Sequence, residues 1–369
     1  MTKALPIIGL DVHALFDDRP TAEFLDGWRR HIDSTGHPET YPTVTNAGPT
    51  MKSGVVVLSE EITVPVHLRL NGRRVPCPLC TPGHEKFEVG RMIWFVDEKV
   101  VRFVGRDCAQ SRLGEDYKLA DKRFSFENRM GEYLRRWKEI YPRAAELKVI
   151  LDSLRSQARF LQCIAEQLDQ YAPSFRGNMF RELSQNAGTI MVKDDVGKDR
   201  TGQTIMKPRE LGKAQGLWLM QPDFMPEPLY LGLRKLVESM EEPPVWRVDM
   251  RNTPAKLDAE TKLLSEGREI YQIPRRLMDL WAMVADAQLF LKADHLAMLE
   301  QYGNEYSHCS PFANMVLRIE DGHLKVNGHT YGQHQVARII VHADARKPVP
   351  AVPDWLQAMA LNSLTTRRK

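Results

Sequence analysis

Apolar residues recur at alternating steps of four and three through the middle of the chain. The series runs from Leu147 to Leu168 and includes Leu154 and Leu161. This heptad spacing places one apolar seam along a helix that we expect over about residues 143–171. Such a seam has two candidate partners. The same helix of a second copy would give a homodimeric coiled coil, whereas other helices of the same chain would give an antiparallel hairpin or bundle.

Further helices are predicted on both sides of this seam. Thr21 is a good N-cap residue for a short helix whose apolar face carries Trp28 and Ile32. A second long helical pair is expected over about residues 255–303. Its later member is expected to begin near Pro274, because proline is favoured in the first turn of a helix.

Several other stretches have the shorter period of β-strands. Two apolar runs on either side of Asp97-Glu98 predict a hairpin, and Asn71-Gly72 predicts a turn between two earlier β-rich runs. A polar, glycine-containing loop between TIMV and TIMK predicts another hairpin within about residues 186–220. Near the C-terminus, Asp321-Gly322 and Asn327-Gly328 are typical two-residue hairpin turns, so a three-stranded meander is expected there.

Together these elements predict an α+β protein with three segments. Residues 1–120 hold an N-terminal segment and a small β-rich module. Residues 121–305 hold a helical body with the hairpin insertion, and residues 306–369 hold the meander, a proline-rich linker and a closing helix. No apolar run reaches the roughly 18 residues of a membrane-spanning helix, and the N-terminus lacks the pattern of a signal peptide. A cytoplasmic protein without a membrane partner is therefore expected.

Cysteine spacing gives the strongest chemical signal. Cys77, Cys80, His84 and Cys108 form a Cys-x2-Cys-x3-His-x23-Cys pattern. Thiolate and imidazole are typical ligands of tetrahedral structural Zn²⁺, and a tight Cys-x2-Cys turn presents two sulfurs to one ion. We therefore expect a structural zinc site with these four ligands, in which Asp107 is the alternative to His84. The sparse, odd set of five cysteines suits a reducing compartment better than a disulfide framework.

This region resembles a broad class of uncharacterised bacterial and phage proteins that carry a small zinc-knuckle module. The matching residues are Cys77, Cys80, Val104, Gly105 and Cys108, in a Cys-x2-Cys knuckle, a hairpin and a Val-Gly-x-x-Cys return. The resemblance covers about 35 residues and implies metal binding rather than an activity. Gly105 is expected in a second knuckle turn. The cysteine that usually pairs with Cys108 in such a turn is absent, because the sequence there is Gly105-Arg106-Asp107-Cys108.

The net charge of +3 is small but unevenly distributed. Residues 69–148 contain 18 Lys and Arg against 12 Asp and Glu, and residues 338–369 contain 6 against 2. A basic excess around the cysteines can contact phosphates, so DNA or RNA is the first partner to test; the alternative is a solvated surface of mixed charge. Arg102, Arg106 and Arg112 are the predicted contacts.

No motif in the sequence specifies a reaction. The chain has no phosphate-binding loop, no dinucleotide-binding glycine pattern and no His-Glu-x-x-His motif. A histidine-rich stretch with His323, His329, His334 and His342 is more typical of exposed turn residues than of a site. The sequence favours a non-enzymatic zinc-binding interaction protein, which the resemblance links to phage or mobile-element biology. Two alternatives stay open: a metal-dependent nucleic-acid-processing enzyme or effector, and a structural oligomer organised by the heptad helices.

Overall fold

A computed structural model shows that the chain has an α+β fold, as predicted. The described residues are 15–184, 188–198, 200–250, 252–306, 315–330 and 333–365. They divide into two compact units. Unit 1 runs to Glu132 and includes Val245–Thr261, whereas unit 2 comprises Tyr133–Pro244 and the chain from Lys262 onwards. The C-terminal meander lies in unit 2.

The helices of the described residues include one π-helical segment, Leu263–Gly267. The α-helices are α1 (Ala22–Thr35), α2 (Arg106–Ile140), α3 (Ala144–Tyr171), α4 (Phe175–Ser184), α5 (Leu217–Met220), α6 (Pro226–Glu238), α7 (Pro254–Lys262), α8 (Arg268–Phe290), α9 (Ala293–Tyr306) and α10 (Asp354–Thr365).

The strands form small antiparallel sheets. They are β1 (Val55–Val57), β2 (Ile62–Thr63), β3 (Val75–Cys77), β4 (Thr81–Phe87), β5 (Val89–Phe95), β6 (Val100–Gly105), β7 (Thr189–Lys198), β8 (Thr204–Lys213), β9 (Leu317–Glu320), β10 (His323–Thr330) and β11 (Gln333–Ile340).

Unit 1 is built on a sheet with β5 at its centre. β6 pairs with β5 from Gly90 to Phe95, and β1 and β2 share the other edge of β5. Both faces of this sheet are covered, so the apolar residues of β5 are continuous rather than alternating. Met92 and Trp94 belong to one core, whereas Ile93 and Phe95 belong to a second core.

A different helix closes each of these two cores. α1 covers the first through Trp28 and Ile32, which are almost completely buried. The N-terminal half of α2 covers the second through Ala109, Tyr117 and Phe124. The predicted hairpin around Asp97-Glu98 is confirmed as β5–β6, and it forms the middle layer between the two helices.

The residues that begin and end the first helix of unit 1, and the Asn71-Gly72 turn, behave largely as predicted. Thr21 caps α1, because its Oγ1 accepts a hydrogen bond from the backbone N–H of Phe24 at 3.3 Å. Gly36 ends the helix with a φ of +71°. Asn71-Gly72 forms a turn with two positive φ angles, but the strands around it do not pair with each other. β2 joins β5 and β3 joins β4 instead.

The heptad seam of the 143–171 region is buried within unit 2. Leu147, Leu154, Leu161 and Leu168 are fully buried, and α3 packs against α6, α8 and β11 of the same unit. The intrachain bundle therefore accounts for the heptad pattern. A homodimer through this helix would have to use its outer face, where Val149 is exposed.

The predicted start of a helix at Pro274 is wrong. α8 begins at Arg268 and contains Pro274 as an internal, buried residue. Ile270 and Ile273 are buried in the same helix as Leu277, and this burial outweighs the backbone hydrogen bond that a proline removes.

The C-terminal meander is confirmed, but only one of its two predicted turns is. Asp321 and Gly322 have φ angles of +52° and +72° and connect β9 to β10 as a two-residue turn. Asn327 and Gly328 instead lie inside β10, where they pair with β11. The uninterrupted ladder from His323 to Thr330 outweighs the local turn preference of that dipeptide.

In the described ranges, none of the helices combines the length and apolar character needed to cross a membrane.

Candidate metal centre

Two of the three clustered cysteines come from the turn between β3 and β4. β3 ends at Cys77, and the backbone N–H of Cys80 donates to the carbonyl oxygen of Cys77 at 3.3 Å. Pro76 and Pro78 restrict the backbone on both sides of Cys77. This tight turn brings the two cysteine side chains of the Cys-x2-Cys motif together.

The third cysteine, Cys108, lies in the first turn of α2, directly after β6. Gly105 is the last residue of β6 rather than part of a second knuckle turn, and it pairs with Gly90. The ring of Phe87 lies against both glycines, since an added Cβ would be 2.9 Å from its Cγ at Gly105 and 2.5 Å from its Cε2 at Gly90. These two glycines allow β4 to approach the end of β6, which leads into Cys108.

The roles of Phe87 and Gly90 were not predicted from the sequence. A glycine inside a strand often marks the close approach of another group, and Gly90 immediately precedes the apolar run of β5. Its position was therefore a detectable signal, but nothing local to it identifies Phe87 as the approaching side chain.

Three thiols meet at this point. The Sγ atoms of Cys77, Cys80 and Cys108 lie within 4.8 Å of one another, and those of Cys80 and Cys108 are 3.4 Å apart. Cys77 is fully buried, whereas the other two are partly exposed. Among the described side chains, this is the one group of three or more Cys, His, Asp or Glu that could hold a metal ion.

The surroundings of Cys108 favour its protonated form when no cation is bound. Burial, together with hydrogen bonds that the Cys108 thiol shares with Cys80 and Cys77 and with the charge of those two residues, raises the pKa of Cys108 to about 12. A metal ion would have to displace these protons, so its affinity would rise with pH. Lys86 lies 3.5 Å from Cys80 Sγ, and the N-terminus of α2 adds a positive potential at Cys108. Both features favour the thiolate form that a metal requires.

The separation of the thiols suits a tetrahedral metal. With Zn–S bonds of about 2.3 Å, tetrahedral geometry places two sulfurs about 3.8 Å apart. The observed 3.4 Å between Cys80 and Cys108 needs only a small adjustment to reach that spacing. The three cysteines could therefore hold a metal ion.

Neither predicted fourth ligand belongs to the thiol group. His84 lies on β4 with an exposed side chain, and its ring nitrogens are not among the atoms that cluster within 4.8 Å. Asp107 precedes Cys108, but its side chain is 89% exposed and contacts the Arg106 guanidinium at 3.3 Å. The geometry thus brings together three of the four residues of the predicted zinc pattern.

The three predicted arginine contacts do not form one surface. Arg102 is buried, because its guanidinium donates to Glu98 Oε2 at 2.5 Å and to the carbonyl oxygen of Ala47 at 2.8 Å. It has no exposed group with which to contact a phosphate. Its position between Val101 and Phe103 on an otherwise apolar strand was the sequence signal for a buried ion pair.

Arg106 and Arg112 are exposed. Arg106 lies 3.7 Å from Glu61 and 3.3 Å from Asp107, so its charge is largely balanced. Arg112 has no recorded partner in the described part of the chain. The basic C-terminal residues 366–369 lie outside the described residues.

The histidine-rich stretch is not brought to one point by its described side chains. His323 Nδ1 lies 2.8 Å from the carbonyl oxygen of Asp321, whereas the ring of His342 stacks on Phe160 with 3.8 Å between centroids. The backbone register pairs His329 with His334, whose side chains lie outside the described set.

Comparisons with known proteins add no assignment. No protein-family model matches the chain, and no curated protein and no solved structure is significantly similar to it.

Proposed function

We propose that this chain is a non-enzymatic interaction protein in which a structural Zn²⁺ joins the β3–β4 turn to the first turn of α2. The observation that carries the proposal is the convergence of Cys77, Cys80 and Cys108. Thiolates favour soft or borderline cations such as Zn²⁺ over Mg²⁺ or Ca²⁺, which prefer oxygen ligands.

A structural role fits this donor set better than catalysis. Catalytic zinc keeps an open position for water next to a general base, whereas structural zinc has four protein ligands. Three cysteines already supply three thiolates, and Cys77 is fully buried. His84 completes the set, because it follows Cys80 closely on β4 and its exposed side chain is free to change rotamer.

Elemental analysis of the purified full-length protein tests the site. We expect about one equivalent of zinc in the parent and none in the Cys77→Ser, Cys108→Ser variant. Cys163→Ser is the matched control, because this cysteine is exposed and lies on α3. Well-folded parent protein without metal after expression and dialysis in zinc-containing medium would refute the proposal.

Cobalt substitution tests the fourth ligand. His84→Ala should weaken Co²⁺ binding and change its visible absorption spectrum, whereas Asp107→Ala and the control His67→Ala should leave both unchanged. His67 is exposed in a 3₁₀ turn of the same unit. An effect of Asp107→Ala alone would assign the position to the carboxylate. Unchanged binding in both variants would exclude His84 and Asp107 as ligands, and a fourth position left to water would overturn the structural role of the metal.

Nucleic acid is the proposed partner of this interaction protein. The support is a sequence pI of about 8.5 and the excess of Lys and Arg in the chain, 51 against 48 acidic residues. Such a partner predicts binding that weakens steeply with salt. Because Arg102 is buried, its charge reversal would test stability rather than binding, so Arg112→Glu replaces it as the test in unit 1.

A further inference from the structure

The β7–β8 hairpin of unit 2 is exposed along most of its length. Each strand has ten residues and therefore spans about 33 Å. Within the described residues it is anchored at its base: Ile190 and Val192 are buried, and an added Cβ on Gly212 would meet Met298 Sδ of α9 at 2.4 Å. The backbone N–H of Gln215, just after β8, donates to His295 Nε2 at 2.9 Å.

Beyond this base no described residue of the rest of the chain covers either face of the ribbon. Val196, Ile205 and Met206 are each about half exposed, although β-ladder pairing continues to Lys198 opposite Thr204. An isolated two-stranded ribbon is marginally stable in water, because it has no third strand or helix to bury a face. A partner that covers this ribbon would therefore stabilise it.

The charge of the ribbon indicates which partner fits. Between Thr189 and Lys213 the sequence has six Lys and Arg and four Asp and Glu. Arg209 forms an ion pair with Asp194. The other cations of the hairpin are exposed, and no ion pair is recorded for them within the described ranges. They are Lys193, Lys198, Arg200, Lys207 and Lys213.

We propose that the β7–β8 hairpin is an arm that enters the major groove of double-stranded DNA. This inference rests on the proposed nucleic-acid association and assigns it a surface. The major groove is about 12 Å wide and admits a two-stranded β-ribbon. Unpaired cations along both strands would meet the phosphates that border the groove.

Edge pairing with a second copy fits the hairpin less well. β8 contains Pro208, which cannot donate a hydrogen bond to an added strand, and lysines occur in both strands. Two copies would also bring these unpaired cations together. Their charge favours a polyanion over the same chain.

The test uses full-length protein, fluorescence anisotropy and a labelled random DNA duplex of about 20 base pairs, roughly twice the length of the ribbon. Lys198→Glu, Lys207→Glu reverses two exposed charges near the tip. The matched control is Lys122→Glu, Lys235→Glu, which makes the same change of net charge on exposed helical residues outside the hairpin. Circular dichroism checks that both variants fold.

We expect the hairpin variant to bind DNA at least about tenfold more weakly at low salt, with a slope of log K against log salt that is smaller by about two. The control should keep the parental slope. Equal binding by the two variants would overturn the assignment of the hairpin and leave DNA binding itself in place.

Three other outcomes would also be decisive. A parent that retains no DNA at low salt would refute the nucleic-acid partner together with this inference. Preference for an RNA duplex would overturn the major-groove geometry, because the A-form major groove is too narrow for side-chain contact. Light scattering could instead show a dimer that becomes a monomer in the hairpin variant while DNA binding is unchanged. That result would assign the ribbon to contacts with a second copy of the chain.

Discussion

The ion pair of Arg102 and Glu98 provides a sharp test of how unit 1 is stabilised. Both side chains are buried, with 3% and 7% of their surface exposed. Arg102 also donates to the Ala47 carbonyl oxygen, and its guanidinium lies 4.5 Å from the centroid of the Phe95 ring. Glu98→Gln keeps the shape of the side chain but removes the negative charge that balances the guanidinium.

The magnitude follows from the burial of both partners. Removing one member of a buried pair leaves an uncompensated charge and costs about 3–5 kcal/mol. In Glu98→Gln the cost arises at Arg102, because an amide N–H₂ at the position of Oε2 would face another donor. Arg102→Met should cost about as much, since the carbonyl oxygens of Ala47 and Gly48 lose their donors. The double variant should cost at least about 2 kcal/mol less than the sum of the two single variants.

Hydrogen exchange with mass spectrometry is the appropriate assay. Two compact units need not unfold together, so a global transition could mix them. Peptides from β5 and β6 report the opening free energy of unit 1 directly. Arg112→Met is the matched control, because this exposed arginine should change that free energy by less than about 0.5 kcal/mol. A Glu98→Gln effect below about 1 kcal/mol would refute the reasoning.

Two further predictions concern unit 2. Gly216→Ala should lower the opening free energy of unit 2 by about 3 kcal/mol or more, measured by hydrogen exchange in peptides of α8, because φ is +71° and the new Cβ would lie 2.2 Å from the backbone nitrogen of Phe290. Gly202→Ala, with φ +84° in open space, should cost only about 1–2 kcal/mol, and equal costs would contradict this account. Burial lowers the pKa of His295, so its contribution to the opening free energy of unit 2 should be constant above about pH 6.5 and should decrease toward the lower folded pKa, by up to about 1.4 kcal/mol per pH unit. Hydrogen exchange in peptides of α8 and α9 from about pH 8 to 5 measures this, and His295→Asn should show a flatter dependence than the parent.

Sequence alone predicted the features that depend on neighbours in the chain. Thr21 caps α1 because a hydroxyl three residues before an N–H is a local arrangement. Likewise the Cys-x2-Cys turn requires only four consecutive residues to bring Cys77 and Cys80 together. The heptad seam of α3 also revealed which face is apolar, although it could not reveal that α6 and α8 bury that face.

The predictions that were wrong concern features that depend on distant parts of the chain. Asn327-Gly328 has a strong turn preference, but pairing along the whole of β10 outweighs it. Pro274 lies within a helix because burial of its neighbours compensates for one missing hydrogen bond. Arg102 was predicted at the surface from its charge, yet Glu98 and the Ala47 carbonyl oxygen satisfy it inside unit 1. None of these partners follows from local spacing.

The position of the cysteines also limits what a metal can do for the fold. A free module of about 35 residues would bury too little apolar surface and would need metal to fold. Here Val75 and Phe87 already attach the β3–β4 hairpin to the core that α1 covers. Tyr117 and Phe124 anchor α2 in the other core. Neither core includes the three cysteines. Leu79, between Cys77 and Cys80, already packs against the core that α2 covers. A metal ion would therefore add to an existing apolar contact between the hairpin turn and α2, while the apolar cores would maintain the rest of unit 1.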